Sequence, residues 1–267
     1  MELIMLGTGN ATVTKCYNTC FVLQEGQSGF LVDAGGGNGI LRQMELAGIR
    51  LDSIHSMYIT HAHTDHILGA IWVVRMIAQK MLKGAYDGQF EIYTHDKCIQ
   101  VLETCCRLML PSKLTRLFGE RIFLKEVKDG DTFTASGMAF QCFDIGSTKE
   151  KQFGFRAVLP GNTVLACLGD EPFNDRNMEQ VEGADWLLCE AFCLYADREK
   201  FQPYEKHHST AADAGRLAAQ LRVKNLVLYH TEDKTLDRRK AVYKAEAAQS
   251  FGGAVYVPDD LERIRIE

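Results

Sequence analysis

Apolar residues recur with two periods along the chain, and the switches between them mark out its elements. Short runs rich in β-branched and aromatic residues read as strands at about residues 3–6, 19–23, 30–32, 54–59, 90–94 and 122–127. A second series follows at about 132–135, 138–145, 153–159 and 163–168, then 186–190, 225–229, 254–257 and 263–266. Helical spacing is clearest after residue 66, where Ile71, Val74, Ile77, Ala78 and Met81 fall on one face of a segment reaching about Leu82. Further helices are expected at 40–47, ended by Gly48, at 97–110, stopped by Pro111, at 211–221 behind Ser209 or Thr210 as N-cap, and at 238–251. Strands followed by helices, given twice with no Pro/Ser-rich linker between, predict two sheets packed face to face with helices outside. The expected fold is therefore α/β, as one domain over residues 1–267.

One junction carries most of the chemistry. Between strand 54–59 and the following helix the sequence reads Thr60-His61-Ala62-His63-Thr64-Asp65-His66, the pattern H-x-H-x-D-H. A polar turn with capping residues is the competing reading. Three imidazoles and a carboxylate within six positions favour a site for zinc or a similar divalent ion. His61 and His63, two apart in an extended segment, face one side and can share an ion. Asp65 and His66, opening the helix, can serve a second. Asp170 and His230 each follow an apolar strand directly. If those strands share a sheet with 54–59, all three ends meet along one edge, Asp170 can bridge two ions, and His230 can complete the second shell. Asp33, before Gly35-Gly36-Gly37, is placed to orient a ligating histidine. That glycine-rich turn lacks the lysine and Ser/Thr of a phosphate-binding P-loop.

Composition narrows the setting. A net charge of -5 argues against a broad nucleic-acid-binding face. The nine cysteines include no C-x-x-C pair and fit reduced thiols in a cytoplasm. Met1–Gly7 is too short for the apolar core of a signal peptide, and no apolar run reaches a membrane span, so no membrane association is expected.

These pieces together resemble the metallo-β-lactamase superfamily, and within it the ribonuclease Z-like branch of tRNA 3′-processing endonucleases and their relatives. The resemblance rests on Leu6-Gly7-Thr8-Gly9, Leu31–Gly37, Thr60–His66, Gly169-Asp170, Leu188-Cys189-Glu190-Ala191, His208-Ser209-Thr210 and Leu228-Tyr229-His230. It implies a four-layer αβ/βα sandwich with metals at one edge of the sheets. By position, His61 and His63 hold the first ion, Asp65, His66 and His230 the second, and Asp170 bridges. Zn2+ is the implied ion, one or two per chain, with Mn2+ or Fe2+ as alternatives. Asp65 resembles the general base, and His208, supported by Glu190, the proton donor to the leaving oxygen. The branch also implies a homodimer and a small-molecule or nucleotide/RNA phosphodiester substrate.

Two departures stand out. No histidine precedes strand 153–159 where the family supplies a further ligand of the first ion. Ser147 stands there by position, which predicts a weakened first site, partly empty or completed by water, Asp144 or Glu171. Nor is there a long Gly/basic insertion of the kind that clamps tRNA. The expected activity is metal-dependent hydrolysis of a phosphodiester. The alternatives are a lactonase or thioester hydrolase of the same fold, and a metal-dependent ligand-binding protein with a degenerate first site.

Overall fold

The computed structural model describes residues 1–267. Its first sheet starts as an antiparallel meander of β1 (Glu2–Gly7), β2 (Cys20–Glu25) and β3 (Ser28–Val32). Gly26, at φ 56°, makes the tight turn between the last two. Parallel pairing then adds β4 (Ile54–Tyr58), β5 (Phe90–Thr94) and β6 (Ile122–Glu126). The crossovers carry α1 (Gly39–Leu46), α2 (Thr64–Leu82), α3 (Asp96–Met109) and the one-turn α4 (Ser112–Thr115).

The second sheet runs antiparallel through β7 (Thr132–Ala135), β8 (Met138–Asp144), β9 (Phe153–Val158) and β10 (Val164–Cys167). It continues in parallel through β11 (Trp186–Glu190), β12 (Asn225–Tyr229) and β13 (Ala254–Tyr256). Short helices α5 (Met178–Val181) and α6 (Arg198–Phe201) precede α7 (Ala211–Gln220) and α8 (Arg239–Ala247). The final strand, β14 (Arg263–Arg265), returns to pair with β1, so each sheet has seven strands.

Alternation along the strands builds the layers. Leu3, Met5, Phe21, Leu23, Phe30 and Tyr58 face the second sheet and pack with Phe140, Phe155, Leu165, Leu188 and Val227. Their neighbours Ile4, Val22, Leu31 and Met57 face outward onto α2 through Ala70, Val74 and Ile77. On the far side Leu187, Leu226 and Leu228 meet Ala214, Ala218, Tyr243 and Ala247 of α7 and α8. Helix, sheet, sheet, helix is the expected αβ/βα sandwich. No helix is long and apolar enough to cross a membrane.

One expectation about the sheets is corrected. β4 belongs to the first sheet, whereas β10 and β12 belong to the second. Their ends meet across the gap between the two sheets, and the site is built at the rim of the sandwich.

Candidate metal centre and active site

The centre begins where β4 gives way to α2. His63 is the N-cap of α2 with extended backbone (φ -66°, ψ 149°) and makes no side-chain cap bond, which leaves its ring free. Asp65 lies in the first turn, at the positive end of the helix dipole. A methyl group on Gly69 would sit 1.8 Å from the Ala34 carbonyl oxygen, so α2 lies directly on the turn after β3. That turn holds Asp33 at φ 54°. Asp33 Oδ1 accepts the Thr60 N–H at 2.9 Å, and its Oδ2 accepts the Thr60 hydroxyl at 2.7 Å. His66 Nδ1 also lies 2.7 Å from Asp33 Oδ2.

These contacts settle which nitrogen each imidazole offers. His66 donates from Nδ1 to Asp33. Thr60 spends its proton on Asp33, so its oxygen accepts from His61 Nδ1 at 2.9 Å. Thr19 gives its hydroxyl proton to the Gly9 carbonyl, so its oxygen accepts from His230 Nδ1 at 3.3 Å. All three histidines are left with bare Nε2 atoms. They lie 3.5 Å (His61), 3.6 Å (His66) and 3.4 Å (His230) from one atom, Asp170 Oδ2. His63 Nδ1 faces His61 Nε2 at 2.9 Å.

Gln152 fixes Asp170 from behind. Its Nε2 donates to Asp170 Oδ1, and its Oε1 accepts the Asp170 N–H at 2.8 Å. Gly169, at φ 78°, makes the clamp feasible, since a Cβ there would lie 2.1 Å from Gln152 Oε1. Asp170 therefore has one oxygen, Oδ2, to offer the centre.

The donor atoms form two groups, His61/His63/Asp170 and Asp65/His66/His230, each within 4.8 Å of one another. Asp65 Oδ2 and His66 Nε2 are buried without hydrogen-bond partners, 3.4 Å apart. Such orphaned buried atoms each cost about 1–3 kcal/mol, and a cation between them would satisfy both. The residues present fit metal ions. Charge agrees with this. Burial keeps His61 and His230 largely neutral, well suited to ligation. Burial also opposes ionisation of Asp170, but His61, His66 and His230 outweigh it and hold the carboxyl well below its usual range. Burial likewise disfavours a charge on His66, yet Asp65 and Asp33 overcome it and raise its basicity.

Glu190 and His208 stand beside this centre. Glu190 ends β11, and its carboxylate accepts the N–H groups of Phe192 (3.1 Å) and Ser209. His208 Nδ1 lies 3.7 Å from Glu190 Oε2, buried and without a hydrogen-bond partner. Its ring stacks on Phe192 at 4.7 Å and approaches His230 at 5.3 Å. Burial pushes His208 down to about 3 and drives Glu190 up, so both buried groups favour their neutral forms. Thr210 is the N-cap of α7 and completes a capping box with Asp213. A cavity of about 480 Å³ opens over His63, Asp65, Asp170, His208 and His230.

The structure thus gathers all eight residues expected from the sequence. Ser147 is different: its hydroxyl donates to Glu171 Oε1 at 2.7 Å. Asp144 is turned to Arg176 at 2.8 Å and caps the Gly146 N–H, while Glu171 takes Ser147. The residue held against Asp170 ahead of β9 is Gln152, which sequence reasoning missed, as it missed Thr19 and Thr60. Their signal was adjacency alone, since Gln152 immediately precedes β9 and Thr60 immediately precedes His61. His95 occupies the N-cap position of α3 and is fully buried, with Nε2 3.3 Å from Cys98 Sγ.

Comparison with known proteins places this geometry. Ribonuclease Z of Thermobifida fusca is 27% identical over 307 aligned positions, covering 99% of this chain and 94% of the relative. Ribonuclease Z of Streptococcus gordonii is 26% identical, with both chains fully covered. Among solved structures, the metallo-β-lactamase fold protein YhfI of Bacillus subtilis superposes with a TM-score of 0.79 at 17% identity, covering 98% of each chain. The short form of human tRNase Z gives 0.78 at 21% identity over the whole of both. The chain shares the metallo-β-lactamase fold of these structures and is similar in sequence to ribonuclease Z proteins along its whole length. The sequence profile described as Anti-Pycsar protein Apyc1 matches residues 1–251, and the chain belongs to that family.

Proposed function

We propose that this metallo-β-lactamase-superfamily hydrolase is a metal-dependent phosphodiesterase acting on a small phosphoric diester. The observation that carries the reading is the convergence of three bare imidazole nitrogens on Asp170 Oδ2 beside a cavity walled by His208. Its relatives bear the name ribonuclease Z, and a fold neighbour with a TM-score of 0.75 is a diphosphatase of the PhnP family. His61, His63 and Asp170 would hold one ion, and Asp65, His66, His230 and Asp170 a second. The donor set of imidazoles and carboxylates suits Zn2+ first, with Mn2+ or Fe2+ as alternatives. Ions held there would supply Lewis acidity, lowering the pKa of water and neutralising charge on phosphoryl oxygens.

The chain's own groups divide the proton work. Asp65, which lines the cavity, accepts the proton of the attacking water. His208 supplies a proton to the leaving oxygen. Glu190, kept protonated by burial and 3.7 Å from the other ring nitrogen, hands its proton to the ring, and its carboxylate then balances the imidazolium until that cation gives its proton to the leaving oxygen. Asp33, Thr60 and Thr19 hold the histidine rings in register. The His208–Glu190 pair suits a phosphodiester, whose leaving alkoxide takes up a proton as the P–O bond breaks.

Size favours a small substrate over tRNA. The cavity of about 480 Å³ falls in the range of small-molecule sites. Alignment with the Thermobifida relative runs to 307 positions against 267 residues here, so the relative carries insertions that this chain lacks. We infer a cytoplasmic setting, supported by nine unpaired cysteines. We also infer a homodimer, supported by exposed Trp72, Leu108 and Met109 on neighbouring helices.

The test is turnover of bis(p-nitrophenyl) phosphate by zinc- or manganese-loaded protein, with Asp65→Ala as control. Activity lost in the variant supports the reading, and cyclic nucleotides and RNA then compete as natural substrates. Inactivity with every metal refutes it.

A further inference from the structure

Two cations stand on the wall of the same cavity, Lys149 and Lys206. They arrive on separate segments. Lys149 belongs to the connection between β8 and β9, and Lys206 ends the single 3-10 turn Tyr204–Lys206, two residues before His208. Lys149 Nζ donates to the Lys206 carbonyl at 2.7 Å, which ties the two segments together at the mouth. Lys206 Nζ lies 5.2 Å from the centroid of Phe192, the ring on which His208 stacks. The Lys149 segment is braced from outside: Lys151 pairs with Asp96 at 2.6 Å, and Glu150 with Lys97.

Neither ammonium is saturated by carboxylates. Lys149 has only Glu171, at 3.6 Å, and that oxygen already accepts from Ser147. Lys206 has no carboxylate within 4.0 Å and gives one N–H to the Phe201 carbonyl at 2.7 Å. An ammonium carries three donors, so both lysines keep N–H groups for a ligand. They also oppose the local field. With Asp65 and Asp170 in the cavity and a net charge of -5 on the chain, an anionic substrate needs local positive charge to approach.

We propose that Lys149 and Lys206 form a phosphoryl-oxygen subsite on the His208 side of the cavity, which captures the anionic diester and retains the phosphate product. This rests on the phosphodiesterase reading and deepens it: the substrate is recognised through its negative charge as well as through metal ions. A phosphodiester carries one negative charge near neutral pH and its monoester product up to two, so the subsite also predicts inhibition by inorganic phosphate.

The experiment compares full-length, metal-loaded wild type with Lys149→Met, Lys206→Met and the double variant, each checked for an unchanged melting temperature. Measured quantities are kcat and KM for bis(p-nitrophenyl) phosphate and the inhibition constant of inorganic phosphate, at low and high salt. The double variant is expected to raise KM and the phosphate inhibition constant together by about tenfold, with kcat within about threefold and a flatter salt dependence. Lys149→Arg should recover part of the loss. Unchanged constants, or a fall in kcat alone, overturn the proposal. If wild type does not turn over the diester at all, the phosphodiesterase reading fails, and calorimetric titration with inorganic phosphate then judges the subsite by itself. Weaker binding in the double variant supports it, and equal binding refutes it.

Discussion

Asp33 Oδ2 lies 2.7 Å from His66 Nδ1, and that contact decides which face of His66 the centre receives. The same carboxylate holds the N–H and hydroxyl of Thr60, and the Thr60 oxygen in turn fixes His61. One buried residue outside the centre therefore sets the tautomer of a histidine in each candidate metal group.

Asp33→Ala should strip partners from Thr60 and His66 at once. Metal affinity is expected to fall about 10–100-fold, in line with loss of an orienting partner. Stability should drop by about 3 kcal/mol in chemical denaturation, since buried donors are left unpaired. Asp33→Asn keeps the shape and one carbonyl acceptor, so its stability loss should be smaller. A metal titration indistinguishable from wild type in both variants would show that His66 needs no such support.

The two ions should bind unequally. The group around Asp65 offers three donors besides Asp170, whereas that around His61 offers two. Gln152 occupies Asp170 Oδ1, so neither ion can take a second oxygen from that carboxylate. Titration with zinc or manganese is expected to show one tight and one weaker event. His63→Ala should remove the weak event and leave the tight one, while His230→Ala should weaken the tight one. Two equal events in wild type would contradict the assignment. Ser147→His should leave the metal content unchanged, because Ser147 is engaged with Glu171.

Much of this arrangement was legible in the sequence because it is local. The H-x-H-x-D-H spacing at a strand-to-helix switch needs no distant information, and the period-2 and period-3.6 runs marked nearly every element. What stayed hidden depends on long-range pairing. Nothing in the runs themselves puts β4 in one sheet and β10 and β12 in the other, or returns β14 to the edge beside β1. Gln152 carries no local signal of its role, because a lone amide ahead of a strand has none of the ligand chemistry of an imidazole. An amide that both donates to and accepts from Asp170 is recognisable only once the two are side by side. Thr19 shows the same limit, lying 211 residues from the histidine it orients.

His208→Ala should discriminate between leaving groups. A positioned acid contributes roughly 10²–10⁴-fold where the leaving oxygen needs a proton. Esters of alkyl alcohols or ribose should lose turnover on that scale, while nitrophenolate, a good leaving group, should lose far less. Glu190→Gln should give an intermediate loss with the same dependence. A uniform loss across leaving groups would assign His208 to binding, since it would then act before any bond breaks.

The same pair predicts two opposed pH dependences of stability in metal-free protein. Burial pushes His208 down to about 3, below its ordinary value of 6.5. Between those values the unfolded chain binds a proton that the folded chain refuses, so His208 costs nothing above pH 6.5 and destabilises increasingly as pH falls toward 3. Glu190 behaves in the opposite sense. Burial holds its carboxyl well above 4.5, so the folded state keeps a proton that the unfolded state releases, and its cost grows as pH rises past 4.5. His208→Gln should therefore flatten the acid side of a stability-against-pH curve, with the largest gain over wild type near pH 4. Glu190→Gln should flatten the neutral side, with its gain growing toward pH 7. Denaturation midpoints collected from pH 4 to 8 with chelator present would separate the two slopes. Parallel curves for all three proteins would mean that neither group changes its proton binding on folding, which would overturn both dependences.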